Sequence, residues 1–185
     1  MKNLIIISGD LASGKSTLSK KLGERLSYIV LNKDPLKEIA CDVFDYSSRE
    51  ENKKLSKCAM DNMIYMFRKT AEAGYNIILE ANFRSEEICN IAEIVEEYDY
   101  NVVLLFLKAD SNVSYERFLS RLENRHKAHI SIGLQYDFNM FVEYNEMLRN
   151  QDLVYEQHII DTTYIDEDMA LEEAMNILME EEIID

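Results

Sequence analysis

The stretch "LIIISGDLASGKST", Leu4 to Thr17, decides the fold. Leu4 to Ile7 form an apolar run that reads as a buried strand, and Leu18, Leu22 and Leu26 follow at helical spacing. Between them, Gly9 to Ser16 reads G-D-L-A-S-G-K-S, a match to G-x-x-x-x-G-K-[ST] in the strand–loop–helix setting that this phosphate-binding motif requires. The loop uses two of only five glycines. At average glycine usage such a match arises by chance in roughly one chain in a hundred or fewer.

The residue types follow from the chemistry of holding a polyphosphate. Gly9, Asp10, Leu11, Ala12, Ser13 and Gly14 are expected to turn backbone amides toward phosphate oxygens, with the helix from Lys15 adding its positive end. Lys15 is expected on the β and γ phosphates of ATP, the Ser16 hydroxyl on Mg²⁺, and Thr17 near the α phosphate.

Composition bounds the rest. A chain of 185 residues, 47% hydrophobic and 30% charged, suits one globular domain that buries about 70% of its unfolded surface. No apolar run reaches membrane-spanning length, and the four apolar residues after Met1-Lys2-Asn3 are too few for a secretory leader, so a cytoplasmic protein is expected. Cys41, Cys58 and Cys89 are odd in number and form no C-x-x-C pair, which points away from disulfides and zinc.

The net charge of −15 is uneven: residues 1–149 hold all 20 Lys and Arg against 23 acids, and residues 150–185 hold 12 acids and no Lys or Arg. Composition implies no basic track for a nucleic acid, which favours a small acceptor.

Further apolar runs at Tyr28 to Leu31, Asn76 to Glu80, Val102 to Leu107 and His158 to Asp161 complete five expected strands, alternating with helical segments as in α/β folds. Ser48 with Glu51 predicts a capping box before a helix over 49–73 that stops at Gly74. Ser85 is expected to start another helix, and Asp34-Pro35 reads as an N-cap with proline in the first helical position. A tail helix over 166–182 is expected to pack Met169, Ala170, Ala174, Ile177 and Leu178.

Three function classes share such a loop. A GTPase switch is disfavoured, because Asn32-Lys33-Asp34 lacks the residue that N-K-x-D requires and no Asp stands three positions before a Gly. A nucleotide-binding regulatory protein without turnover stays open beside a kinase. In open α/β sheets ligands bind at the carboxyl ends of strands, where this sequence places Asp34, Glu80 and Asn82. Glu80 stands where a metal-associated acid or a substrate contact would be, or a solvated strand end. Arg117, Arg121 and Arg125 fall at i, i+4 and i+8 and are expected on one helical face; Arg125, then Arg121, is the expected contact to the transferring phosphoryl. His126 and His129 supply two ligands at most, too few for a zinc set.

Gly9 to Thr17, "NKDPLK" at 32–37, "LEANFR" at 79–84, "RLENRHKAH" at 121–129 and "IIDTT" at 159–163 together resemble the small P-loop kinases that include zeta toxins, chloramphenicol phosphotransferase and polynucleotide 5'-hydroxyl kinase. The resemblance implies a P-loop NTPase fold: a five-stranded parallel sheet, order 2-3-1-4-5, with helices on both faces, as one kinase domain over 1–185 with a short lid at about 121–133. It implies that Asp34 takes the proton of the acceptor hydroxyl, that Lys37 meets an acceptor phosphate, and that Asn82 lies near the acceptor. For Asp34 the capping role remains the alternative. The expected activity is Mg²⁺-dependent transfer of the γ-phosphoryl of ATP to a hydroxyl of a small molecule, with a nucleic-acid 5'-hydroxyl as the weaker alternative.

Overall fold

A computed structural model describes residues 2–129 and 137–184. Five parallel strands, β1 (Lys2–Gly9), β2 (Ile29–Asn32), β3 (Ile77–Glu80), β4 (Tyr100–Lys108) and β5 (Gln157–Asp161), form one sheet in the order β2-β3-β1-β4-β5. This is the order the resemblance implies. The central strand β1 pairs with β3 and β4, which explains its unbroken apolar run: Leu4 to Ile7 are all fully buried. Edge strands lack that cover, and Ile29 on β2 and Ile159 on β5 are partly open.

Alternation along β1 divides the core. Leu4 and Ile6 pack with Met63 and Phe67 of α3 (Arg49–Glu72) and Ile88 and Ile91 of α4 (Ser85–Tyr98). Ile5 and Ile7 face Leu18 and Leu22 of α1 (Lys15–Leu26) and Ala170, Ala174 and Leu178 of α7 (Glu167–Glu180). Met169, expected on that packing face, is instead half exposed, because it lies one residue off the i, i+4, i+8 line of Ala170, Ala174 and Leu178 that α7 buries.

The helix ends refine the sequence reading. Ser48 caps α3 by accepting from Glu51 N, but the Glu51 carboxylate accepts from Ser47 N, one residue earlier than a capping box places it. Beyond α3, Gly74 takes a φ of 76°. Helix α4 starts at Ser85, as expected; Arg84 before it is the cap, and Glu87 accepts from Arg84 N.

Strand β2 runs without a loop into α2 (Lys33–Val43), so Asn32 ends one element and caps the next. Asp34 therefore stands in the first helical turn and is not the N-cap expected of it.

The expected single arginine face is also corrected. Helix α5 (Ser111–Ser120) gives way to 3-10 bonds, Arg121 N to Phe118 O and Asn124 N to Arg121 O, and Arg125 is extended. The chain leaves the helix axis because 126–129 docks on α2: Lys37 Nζ donates to Ala128 O at 2.7 Å and Ala128 is buried. Residues 130–133 of the expected lid lie outside the described residues. Helix α6 (Phe138–Arg149) precedes β5.

Candidate active site

The two loop glycines answer to different constraints. Gly9, at φ 137°, passes so close to β4 that a Cβ would lie 2.1 Å from Leu107 O. Gly14, at φ 94°, would place its Cβ in open space. Gly9 thus seats the loop on the sheet, and only Gly14 keeps a surface clear.

The loop amides divide likewise. Asp10 N donates to Leu107 O and Leu11 N to Asn145 Oδ1 of α6, so neither is turned to a ligand as the sequence reading expects. The amides of Ala12, Ser13, Gly14, Lys15 and Ser16 donate to no acceptor among the described residues. Consecutive amides of this kind at a helix start make an anion-binding concavity. Its floor is held by Ser13 Oγ on Asp10 O and by Thr162 Oγ1 on Ser13 O at 3.0 Å.

Asp10, expected among the nucleotide contacts, is fully buried and faces away into the protein: Arg149 at the end of α6 grips its carboxylate with Nε and Nη2, and Ala109 N donates to it. This bond holds the Arg149 guanidinium further above its already high pKa. A carboxylate inside an anion-binding loop needs such a counter-ion. That need is legible in the sequence, but its partner stands 139 positions away.

Replacing Arg149 by methionine leaves a buried charge unpaired, which costs about 2–3 kcal/mol after allowing for the part-exposed guanidinium. Thermal unfolding is expected roughly 5–10 °C lower. Asp10→Asn in the same chain is expected to restore part of the loss; a Tm unchanged by Arg149→Met would show the pair to be idle.

A groove of about 170 Å³ brings together Lys15, Ser16, Asp34, Glu80, Asn82, Arg121 and Arg125. Lys15 is buried and its ammonium donates to Gly9 O and Asp10 O; burial pulls its pKa down against the opposing pull of Glu80 and Asp10. Ser16 Oγ donates to Glu80 Oε2 at 3.1 Å. Burial pushes the Glu80 carboxyl up, although Lys15 opposes it. A hydroxyl and a buried carboxylate paired in this way are the hard oxygen donors that suit Mg²⁺, and a cation there would offset the burial of the acid.

Asp34 keeps its carboxylate off the helix amides. Lys33 Nζ lies 3.7 Å from Oδ1, and His129 Nδ1 lies 3.9 Å from Oδ2. Burial would raise its pKa, but Lys33, His129, Lys15 and Lys37 outweigh this and hold the carboxyl below its usual range. His129 also meets Glu38 at 2.8 Å, and His126 meets Asp42 at 3.2 Å. Both histidines are thus committed to α2, and no group of three metal-ligating side chains occurs among the described residues.

The Arg125 guanidinium lies 5.1 Å from the Phe118 ring centre, a cation–π contact beside the groove. Arg117 is turned away and donates to Thr162 O and Thr163 O. Lys37 lies outside this groove, in an adjoining cavity that shares Asp34, Asn82 and Arg125. Asn145 and Arg149, which hold the loop, carry no motif by which sequence reasoning could find them; Thr162 lies in the "IIDTT" stretch, but nothing there marks its bond to the loop.

The family model described as Zeta toxin matches residues 1–170. The chain belongs to the zeta toxin family. No curated protein matches it. Solved structures show the same fold as this zeta toxin family member. A presumed kinase of Chloroflexus aurantiacus is 24% identical, with 95% of this chain and 97% of that chain covered and a TM-score of 0.78. The tunicamycin resistance protein of Deinococcus radiodurans is 16% identical, with 96% of each chain covered and a TM-score of 0.64. The APS kinase of Mycobacterium tuberculosis, solved with AMPPNP and APS, is 14% identical, with 96% and 98% covered and a TM-score of 0.59. The architecture is therefore that of the P-loop kinases. No helix among the described residues is long and apolar enough to cross a membrane.

Proposed function

We propose that this chain is a phosphotransferase, one P-loop kinase domain over 1–185 that moves the γ-phosphoryl group of ATP to a hydroxyl of a small-molecule acceptor. The observation that carries the reading is the groove in which an ionised carboxylate, Asp34, faces the phosphate loop beside two arginines. A nucleotide-binding regulator has no use for an acid aimed at the phosphates.

The amides of Ala12 to Ser16 hold the phosphate chain, and Lys15 exchanges its loop carbonyls for the β and γ oxygens. Ser16 and Glu80 would hold Mg²⁺, which would supply charge neutralisation on the phosphates. Asp34 accepts a hydrogen bond from the acceptor hydroxyl and aligns its oxygen with the γ phosphorus. As the new O–P bond forms and the bond to the β-phosphate oxygen breaks, Asp34 takes the proton and ADP leaves. Arg121 and Arg125 face the charge that spreads over the transferring group. Closure of the segment that carries both arginines over the groove limits hydrolysis.

Glu80 must lose its proton to serve a cation, and its pKa is raised by burial. Mg²⁺ affinity of the nucleotide complex is therefore expected to rise as pH climbs above the usual carboxylate range. Glu80→Gln is expected to bind Mg²⁺ more weakly and to flatten that rise; calorimetric titrations across a pH series read both effects. A Glu80→Gln variant with unchanged Mg²⁺ affinity removes Glu80 from the metal site. The reading as a whole is tested by ADP release that depends on an added hydroxyl compound.

A further inference from the structure

Beside the phosphate groove lies a second cavity of about 230 Å³. Lys33, Lys37, Arg49, Lys53, Arg84 and Arg125 line it against one carboxylate, Asp34, in a chain whose net charge is −15. Five of the six come from the N-terminal turns of three helices: Lys33 and Lys37 from α2, Arg49 and Lys53 from α3, and Arg84 from the cap of α4.

Helix starts favour acids, so bases there work against helix stability. Internal pairing does not explain them either. Arg49, Lys53 and Arg84 form no ion pair among the described residues. Lys37 differs, since its ammonium is committed to Asn52 Oδ1 and Ala128 O and makes a wall of the cavity.

We propose that this cavity binds a terminal phosphate already present on the acceptor, held by Arg49, Lys53 and Arg84, so that the substrate is a hydroxyl compound bearing a phosphate monoester. The proposal rests on the phosphotransferase reading for the direction of the hydroxyl, which must reach Asp34 on the shared wall. A terminal phosphate carries nearly two charges at neutral pH and three oxygens, one for each uncommitted cation, and guanidinium groups match that geometry. A phosphodiester or a carboxylate offers one charge and two such oxygens. The existing monoester is untouched by the reaction: the hydroxyl oxygen gains the γ phosphorus, Asp34 gains the proton, and the product carries two phosphates.

Binding rather than turnover tests this. With a non-hydrolysable ATP analogue in place, calorimetry compares a hexose monophosphate and a nucleoside 3'-monophosphate with a neutral hexose, a hydroxy acid and a dinucleotide phosphodiester. A monoester is expected to bind best, and Arg84→Gln and Lys53→Gln are each expected to weaken it about tenfold or more, with nucleotide affinity and Tm unchanged. Both side chains are exposed and Arg84 caps α4 through its backbone amide, so the variants keep the fold. The proposal is overturned if the monoesters bind no better than the hexose, if the hydroxy acid or diester binds best, or if both variants bind like the parent. Monoester binding without transfer from ATP to any acceptor would uphold the phosphate site and defeat the phosphotransferase reading instead.

Discussion

Replacing Asp34 by asparagine is expected to lower acceptor phosphorylation by roughly 10²- to 10⁴-fold while nucleotide affinity stays within about twofold. Asparagine keeps the shape and the first-turn position in α2 but cannot take a proton. The substitution is structurally mild, because Asp34 does not cap its helix and is more than half exposed, at 54%. Lys33 and His129, themselves largely buried, lose a half-exposed counter-charge at 3.7 and 3.9 Å, a small effect. A loss confined to the chemical step, seen in kcat with Tm unchanged, is the outcome that assigns the proton to Asp34. Near-parent turnover would remove it from that role.

The second large effect separates the two glycines. Gly9→Ala must place a Cβ against the Leu107 backbone at a φ of 137°. Overpacking at about 1–3 kcal/mol and backbone strain of similar size add to roughly 2–6 kcal/mol, or about 5–20 °C in Tm. Gly14→Ala meets no atom within 4 Å and carries the strain alone, so its Tm is expected to fall about half as far. Its methyl stands on the groove face of the loop, so nucleotide affinity is what falls. Thermal unfolding and nucleotide titration of both variants check this; equal destabilisation of the two would contradict the division of labour.

The fold was legible where one physical requirement acts on neighbouring residues. The apolar runs, the loop spacing and the 3.6-residue pattern are local, and each predicted strand is present. Asp34, Glu80 and Asn82, expected at strand ends, line one groove together with Arg121 and Arg125. What the sequence hid depends on distant partners. The loop carries Asp10, but nothing near it marks Arg149. Arginines at i, i+4 and i+8 imply a single face until Ala128 docks on Lys37 and draws the chain off the helix axis. Asp34-Pro35 has the form of a cap, and only the direct passage of β2 into α2 moves the cap to Asn32. The bases of the second cavity are scattered through residues 33–125, so overall charge concealed their local concentration.

The most direct measurement follows a labelled γ-phosphoryl group. The protein is incubated with γ-labelled ATP, Mg²⁺ and a set of hydroxyl-bearing small molecules that includes phosphate monoesters, and the label is traced by mass spectrometry. The account predicts label on an acceptor in proportion to the ADP formed, and its loss in the Asp34→Asn variant. Bound ATP with the label retained, or released only as inorganic phosphate whatever the acceptor, would contradict it.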